Sequence, residues 1–308
     1  MSVYTTVGRD ELAAWLEPLA LGKLIDHAGI AAGMQNSNFF VTTASGRYVL
    51  TLFERHESTA ELEFHLALQA HLAQAGLPCP RPVVGADGRL WRPLAGKPAA
   101  LLSCLPGESI EVPTAAHCRE VGRVLARMHL AVAGIEHAPP NPCGAPWRQR
   151  VGESLMPKLS PDEAVLLDDE LKFQAAQDWS ALPRGVVHAD LFRDNVLWLG
   201  DQLSGLLDFY FSGEDVLLFD LAVAANDWCA ESATVAELIA GYESVRPLTA
   251  AEVDAWLPVR RAAALRFWLL RLDVRHRPRT GQVVTIKNPD AFRRLLTRFR
   301  LAPEALPR

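Results

Sequence analysis

Gly185-Val186-Val187-His188-Ala189-Asp190-Leu191-Phe192-Arg193-Asp194-Asn195-Val196-Leu197-Trp198-Leu199-Gly200-Asp201-Gln202-Leu203-Ser204-Gly205-Leu206-Leu207-Asp208-Phe209-Tyr210 is the stretch that decides the fold of this chain. It reads as strand, loop, strand, turn, strand. An apolar run, Gly185 to Val187, delivers His188, Asp190 and Asn195 on one loop. Val196 to Leu199 is a short apolar strand, Gly200-Asp201 turns it back, and Leu203 to Leu207 returns to Asp208. Two carboxylates and an amide therefore converge at one mouth. Phosphoryl transfer from a nucleotide needs such a set: one Asp to accept the proton of the attacking hydroxyl, and an Asn and a second Asp to hold Mg²⁺ against the phosphates. Both metal ligands are oxygen donors, as a hard cation prefers.

A surface β-hairpin with Asp at its turns is the competing reading. It accounts for Asp201, but not for Asp190 and Asp208, which sit at the ends of apolar runs. His188 reads as a loop-bracing hydrogen bonder and Asp190 as the proton acceptor.

His188 to Trp198 followed by Leu206 to Tyr210 resembles the small-molecule kinases of the aminoglycoside phosphotransferase and choline kinase superfamily. Gly33–Val41, Arg47–Glu54, Ala75–Val83, Leu217–Cys229 and Ala264–Leu272 together resemble the homoserine kinases of that superfamily. The resemblance covers nearly the whole chain. It implies an α+β, bilobal, protein-kinase-like fold. An N-terminal antiparallel sheet lobe with one long helix would precede a larger, mostly helical lobe. It also implies ATP and Mg²⁺ as cofactors, L-homoserine as the acceptor, and a structural role for Asp220 in bracing the catalytic loop. The other homoserine kinase lineage uses a Gly/Ser-rich phosphate loop opening a helix, and this sequence contains none.

The composition is that of an ordinary globular protein, with 49% hydrophobic and 22% charged residues in 308. A net charge of −5 gives no reason to expect a nucleic-acid partner. The five cysteines, Cys79, Cys104, Cys118, Cys143 and Cys229, form no C-x-x-C pair and sit mostly in apolar contexts. They read as reduced thiols of a cytoplasmic protein. No signal-peptide core or membrane span is expected.

The N-terminal lobe is expected over residues 1–105, with a hinge at about 101–107, and the catalytic and acceptor-binding lobe over 106–308. Leu12, Trp15 and Leu16 share a face of a first helix, over 10–17. Strands follow at 24–31, 39–43 and 48–53. Between them lies Gly33-Met34-Gln35-Asn36-Ser37-Asn38, where Asn36, Ser37 and Asn38 are candidates to hydrogen-bond the nucleotide phosphates. An ordinary hairpin turn would use the same residues. Thr51 occupies the third-strand slot where a kinase normally carries Lys. Arg47 and Arg55 are the nearby cations. Ser58 to Glu61 is a capping box opening a helix to Ala75, and Glu61 reads as its cap residue. Strands at Val83-Val84, 89–93 and 99–105 follow, with Leu101, Ser103 and Leu105 offering backbone groups to an adenine.

Thr114 to Val132 is a helix with Arg119, Arg123 and Arg127 on its solvated face, and His129 is a core or helix-end histidine. Residues 134–147 read as a long surface loop, and Ser160 to Glu163 as a second capping box opening a helix to about Trp179. Residues 209–215 are expected to line the acceptor pocket. A zwitterionic acceptor needs a cation for its carboxylate and an acid or carbonyls for its ammonium. Arg266 and Arg271 are the candidates for the first, Asp215 and Asp227 for the second, with Trp228 and Trp268 as walls. Choline, an aminoglycoside or another amino alcohol are rival acceptors. The Thr51 departure also admits a nucleotide-binding pseudokinase.

Overall fold

Alternation of apolar residues builds the first sheet. The computed structural model describes residues 4–30, 36–54, 58–277 and 288–307. Gly33, Met34, Gln35 and Arg55, named above, lie outside the described residues. The chain divides into two units, one running to Pro106 and the other starting at Gly107.

The first unit contains α1 (Arg9–Leu16), β1 (Leu24–Gly29), β2 (Ser37–Thr43), β3 (Gly46–Leu52), α2 (Thr59–Gln74), β4 (Arg92–Leu94) and β5 (Lys97–Ser103). Its strands form one antiparallel sheet in the order β1-β2-β3-β5-β4. Phe39, Val41, Leu50, Leu52, Ala99 and Leu101 turn to one face and bury Leu12, Trp15 and Leu16 of α1. The opposite face carries Asn38 and Phe40 from β2, and Val49 and Thr51 directly across from them on β3. The Ser58 hydroxyl accepts the Glu61 amide and starts α2. Val83-Val84 does not form a strand. Only an isolated bridge between Pro82 and Leu102 and a bond from the Val83 amide to the Leu101 carbonyl are made there. Pro80 and Pro82 lack the donors a longer ladder needs.

The second unit is mostly helical: α3 (Ala115–Ala131), α4 (Ala145–Leu155), α5 (Pro161–Ala175), α6 (Leu218–Trp228), α7 (Ser232–Glu243), α8 (Ala250–Asp254), α9 (Trp256–His276) and α10 (Asp290–Leu301). Two short antiparallel ladders are set among them, β6 (Arg184–Val187) with β9 (Gly213–Val216), and β7 (Val196–Leu199) with β8 (Gln202–Leu206). The helix expected to reach Trp179 ends at Ala175, and Asp178 instead caps a turn by accepting the Ser180 amide.

Helices α3 and α7 cross with almost no side chain between them. A Cβ on Gly122 would lie 2.0 Å from the Leu238 carbonyl oxygen, and one on Gly241 would lie 1.9 Å from that of Arg119. Any side chain there would drive the helices apart. Their close approach brings Tyr242 onto His129 beneath the catalytic loop.

Two further expectations change. Residues 134–147 are not simply a surface loop, because Asn141 and Cys143 are buried and the Asn141 amide bonds the Glu214 carbonyl. Residues 213–216 form β9 rather than an open pocket-lining loop. No helix among the described residues is long and apolar enough to cross a membrane. All five cysteines are free.

Candidate active site

Strand β6 runs into Ala189, which holds φ +63°, a left-handed conformation costly for a residue with a Cβ. A buried carboxylate holds it there. Asp220, in the first turn of α6, is fully buried and accepts the amides of His188 at 2.7 Å and Ala189 at 2.6 Å. His129 Nε2 donates to the same carboxylate at 3.1 Å, and the other ring nitrogen meets the Tyr242 hydroxyl at 2.8 Å. Arg246 donates to that hydroxyl and pairs with Glu252 through both ends of its fork. The chain of bonds satisfies polar groups that burial would otherwise leave at a cost of about 1–3 kcal/mol each.

His188 is buried, and desolvation pushes its imidazole below the usual histidine range, so the ring is neutral. Its bonds assign the tautomer: Nε2–H donates to the Leu207 carbonyl, and Nδ1 accepts the Asp190 amide. Both nitrogens are occupied in bracing the loop and the return from β8.

Asp190 lies at the mouth with its side chain 16% exposed. The Asn195 amide group donates to the Asp190 carbonyl at 2.8 Å and to its Oδ2 at 3.3 Å. With its N–H₂ so used, Asn195 offers Oδ1 to a cation. Asp208 adopts φ +61°, and the residue is exposed although protein crowds its carboxyl. Desolvation by the surrounding protein, and then the Asp190 charge, push its carboxyl up to about 7. Two acids and an amide oxygen thus face one region, with Arg266 behind Asp190. That donor set fits a hard divalent cation, which typically uses one or two carboxylates and lets phosphates and water complete its shell. Among the described residues no three His, Cys, Asp or Glu side chains gather as a closed metal cage.

The structure redistributes the acceptor candidates. Arg266 is fully buried and donates to Asp190 Oδ1 at 2.9 Å, which commits one of its donors to the catalytic loop. Asp215 accepts the Asn141 side-chain amide at 2.8 Å within β9, and Asp227 accepts the backbone and side chain of Arg193. Both carboxylates are thereby committed to internal donors. Trp228 is buried and donates its indole N–H to the Leu191 carbonyl; Trp268 is fully buried. These rings support the site from below and do not wall an open pocket. Arg271 remains available. It is half-buried over Phe292 at 4.5 Å, donates once to the Asn288 carbonyl, and feels the charges of Asp227, Asp194 and Asp190.

In the first unit the nucleotide candidates separate similarly. The Ser37 hydroxyl is fully buried, accepts the amides of Tyr4 and Thr5, and donates to Glu54 at 2.6 Å. It has nothing left for a phosphate. Asn36 is buried at the lead-in to β2. Asn38 is half-buried, and Thr51 donates to its side-chain oxygen at 2.8 Å, which leaves the Asn38 N–H₂ without an acceptor among the described residues. Arg47, the expected nearby cation, stacks on Phe40 at 4.0 Å. Leu101 sits in the core, with its carbonyl bonded to Val83, and Ser103 exchanges bonds with Arg81. A strand flanked on both sides has no spare amides, so of the three only Leu105 lies past the ladder.

Sequence reading missed His129, Tyr242, Asn141 and Arg148 as parts of this assembly. Arg148 is buried between Trp179 and Phe219, at 5.8 and 5.6 Å from the ring centres. The signals available were a histidine on an apolar helical stripe and a glycine in each of two helices, and neither names its partner.

Comparison with known proteins follows the same lines. A model described as "Phosphotransferase enzyme family" matches residues 26–263. The chain is 46% identical over 302 residues to a homoserine kinase of Methylobacillus flagellatus, covering 96% of this chain and 94% of that protein. It is 46% identical over 312 residues to a homoserine kinase of Methylobacillus glycogenes, covering 99% and 98%. An amicoumacin kinase solved in complex with AMP-PNP, Ca²⁺ and Ami superposes with a TM-score of 0.70 at 16% identity, over 95% of this chain and 92% of that one. At that identity the likeness speaks for the fold.

Proposed function

Because the chain belongs to the phosphotransferase enzyme family, we propose that it transfers the γ-phosphoryl group of ATP to the hydroxyl of L-homoserine, giving O-phospho-L-homoserine. The observation that carries the reaction class is the loop that presents Asp190, Asn195 and Asp208 together. The acceptor rests on the near full-length likeness to homoserine kinases.

Asp190 orients the acceptor hydroxyl and takes its proton as the oxygen attacks phosphorus in line. Asn195 Oδ1 and the Asp208 carboxylate would hold Mg²⁺, which would supply charge to offset that of the transferring phosphoryl group. Arg271 holds the homoserine carboxylate: its guanidinium is a planar fork with donors to spare beside an acidic mouth. On the nucleotide side, Asn38 supplies the polar contact that a third-strand lysine provides in other kinases, held in orientation by Thr51.

The test is ADP release with ATP and Mg²⁺ against L-homoserine, L-serine, L-threonine, choline and kanamycin. Turnover on homoserine above all others is expected. Turnover on choline or kanamycin alone would keep the roles of Asp190, Asn195 and Asp208 and discard the acceptor. ATP binding without transfer to any acceptor would make this a pseudokinase. Arg271→Ala is expected to raise KM for homoserine about tenfold or more with kcat held, as loss of uniform binding does.

A further inference from the structure

We propose that Arg266 is a positioning residue that locks the Asp190 carboxylate in the orientation that receives the acceptor hydroxyl. The inference rests on the role given to Asp190 above. A carboxylate on an exposed loop turns about two side-chain bonds. Here each oxygen is held from a different direction. Arg266 Nη1 donates to Oδ1 at 2.9 Å, and the Asn195 amide approaches Oδ2 at 3.3 Å. Two donors on two oxygens fix the plane of the carboxylate, and the second oxygen, with the weaker bond, is the one left for the substrate.

The surroundings of Arg266 fit this task and no other on view. Its side chain is fully buried in α9, with the guanidinium between Phe211 at 4.7 Å and Phe267 at 3.8 Å. Water is excluded, which strengthens the single charged bond. Nε and Nη2 meet no oxygen or nitrogen acceptor among the described residues, and the other polar group beside the guanidinium is the Cys143 thiol, a weak acceptor whose ionisation burial opposes. Unpaired donors in a dry site destabilise the fold, and a methionine of similar volume would pack there without that cost. Stability therefore does not explain the arginine. Catalysis does, because a displacement of about 1 Å at a reacting group costs on the order of a hundredfold in rate. The guanidinium also stays charged at any working pH, so the lock does not open by titration.

Four proteins test this: Arg266→Met, Arg266→Lys, Asp190→Asn and the double variant Asp190→Asn/Arg266→Met. Each is assayed for kcat and KM on homoserine and ATP, per folded molecule measured by circular dichroism. Arg266→Met is expected to lower kcat about a hundredfold while both KM values stay within about threefold. Arg266→Lys is expected to recover about tenfold of that loss, since it restores the charge without the fork. The double variant is expected to be no slower than Asp190→Asn alone, because residues acting as a unit are not additive.

Three results would overturn the proposal while leaving the role of Asp190 intact. A raised KM for homoserine with kcat unchanged would make Arg266 an acceptor ligand. A loss that follows the folded fraction, with kcat per folded molecule intact, would make it structural only. Full additivity in the double variant would place its action elsewhere. The proposed function fails separately: wild-type protein idle on homoserine discards that acceptor, and the same four proteins are then compared on whichever acceptor is turned over. Asp190→Asn with wild-type kcat would remove the base and the positioning role together.

Discussion

The loop from Val187 to Asn195 and the strand entry at Asn36 to Asn38 solve opposite problems. The loop holds charge. Asp190 and Asp208 face the same region, and behind them stand Asp220, His129 and Arg266, all fully or almost fully buried. The strand entry presents only neutral side chains of its own, although Ser37 leans on the Glu54 carboxylate that pairs with Lys97 at 3.4 Å. Ser37 is consumed by Tyr4, Thr5 and Glu54, and Thr51 stands where a lysine is expected, bonded to Asn38. Orientation in the first region comes from ionic bonds set in the interior. In the second it comes from a neutral cross-strand pair. A charge held in a dry interior is rigid and costly to change, whereas a neutral pair on a sheet face is adjustable and individually weak. The first region should therefore break sharply on substitution and the second only by degrees.

The sharpest break is at Asp190. Asp190→Asn keeps the side-chain shape, but it removes the proton acceptor and the charge that pairs with the buried Arg266 at 2.9 Å. A fall in kcat of about a thousandfold is expected, with ATP affinity held, as measured by ADP release and by calorimetric titration with a nonhydrolysable nucleotide. A fall of less than about tenfold would mean that the carboxylate only orients the hydroxyl, and the contrast between the two regions would soften.

Asp220 comes next because it supports the loop without touching the reaction. Asp220→Asn leaves at least one of the His188 and Ala189 amides facing an N–H₂ group, and the left-handed Ala189 loses its restraint. A loss of about 3 kcal/mol in unfolding free energy by urea titration is expected, with a parallel fall in kcat. Of this support, Asp220 was legible in the sequence and His129 was not, for a physical reason. An acid following an apolar run at the start of a helix advertises itself locally, and the resemblance supplies its task. The task of His129 exists only through Asp220 and Tyr242, 91 and 113 residues away. The same holds for Asn141 on Asp215 and for Arg266 on Asp190, which share nothing in sequence. The sheet, the catalytic hairpin and α2 were legible because their signals are periodic or contiguous. The acceptor side was not, because an arginine on a helix reads the same whether it meets substrate, solvent or a buried acid.

The charged region also carries a pH signature that the neutral one lacks. The Asp208 carboxyl is pushed up to about 7, first by desolvation and then by Asp190. Its folded value lies above its unfolded value of 3.8, so the protein binds the extra proton when folded. Stability contributed in this way is present in acid and is lost as pH rises toward about 7. A divalent cation must displace that proton. Apparent Mg²⁺ affinity is therefore expected to fall about tenfold per pH unit below about 7 and to level off above it. The thermal shift on adding Mg²⁺ should be larger at about pH 8 than at about pH 6, a difference that Asp208→Asn abolishes. A pH-independent shift would place the cation away from Asp208.

The smallest effects separate Thr51 from Ser37, two neighbouring hydroxyls with different duties. Thr51→Val is nearly isosteric and removes only the bond to Asn38. Asn38 would then turn freely, and its N–H₂ would no longer be aimed. The expected result is a rise of about fivefold in KM for ATP, worth about 1 kcal/mol, with kcat and the melting temperature nearly unchanged. Ser37→Ala should do the reverse. It orphans the Tyr4 and Thr5 amides and leaves the Glu54 carboxylate with Lys97 at 3.4 Å as its partner, so the protein should lose about 1–3 kcal/mol of stability while KM for ATP stays close to wild type. If Ser37→Ala instead raises KM for ATP and spares stability, the buried hydroxyl reaches the nucleotide after all, through a rearrangement of the strand entry. If Thr51→Lys lowers KM for ATP, the slot still accepts the charge other kinases place there. The neutral pair would then be one of two workable solutions on the same strand, and Asn38 the residue that makes the lysine dispensable.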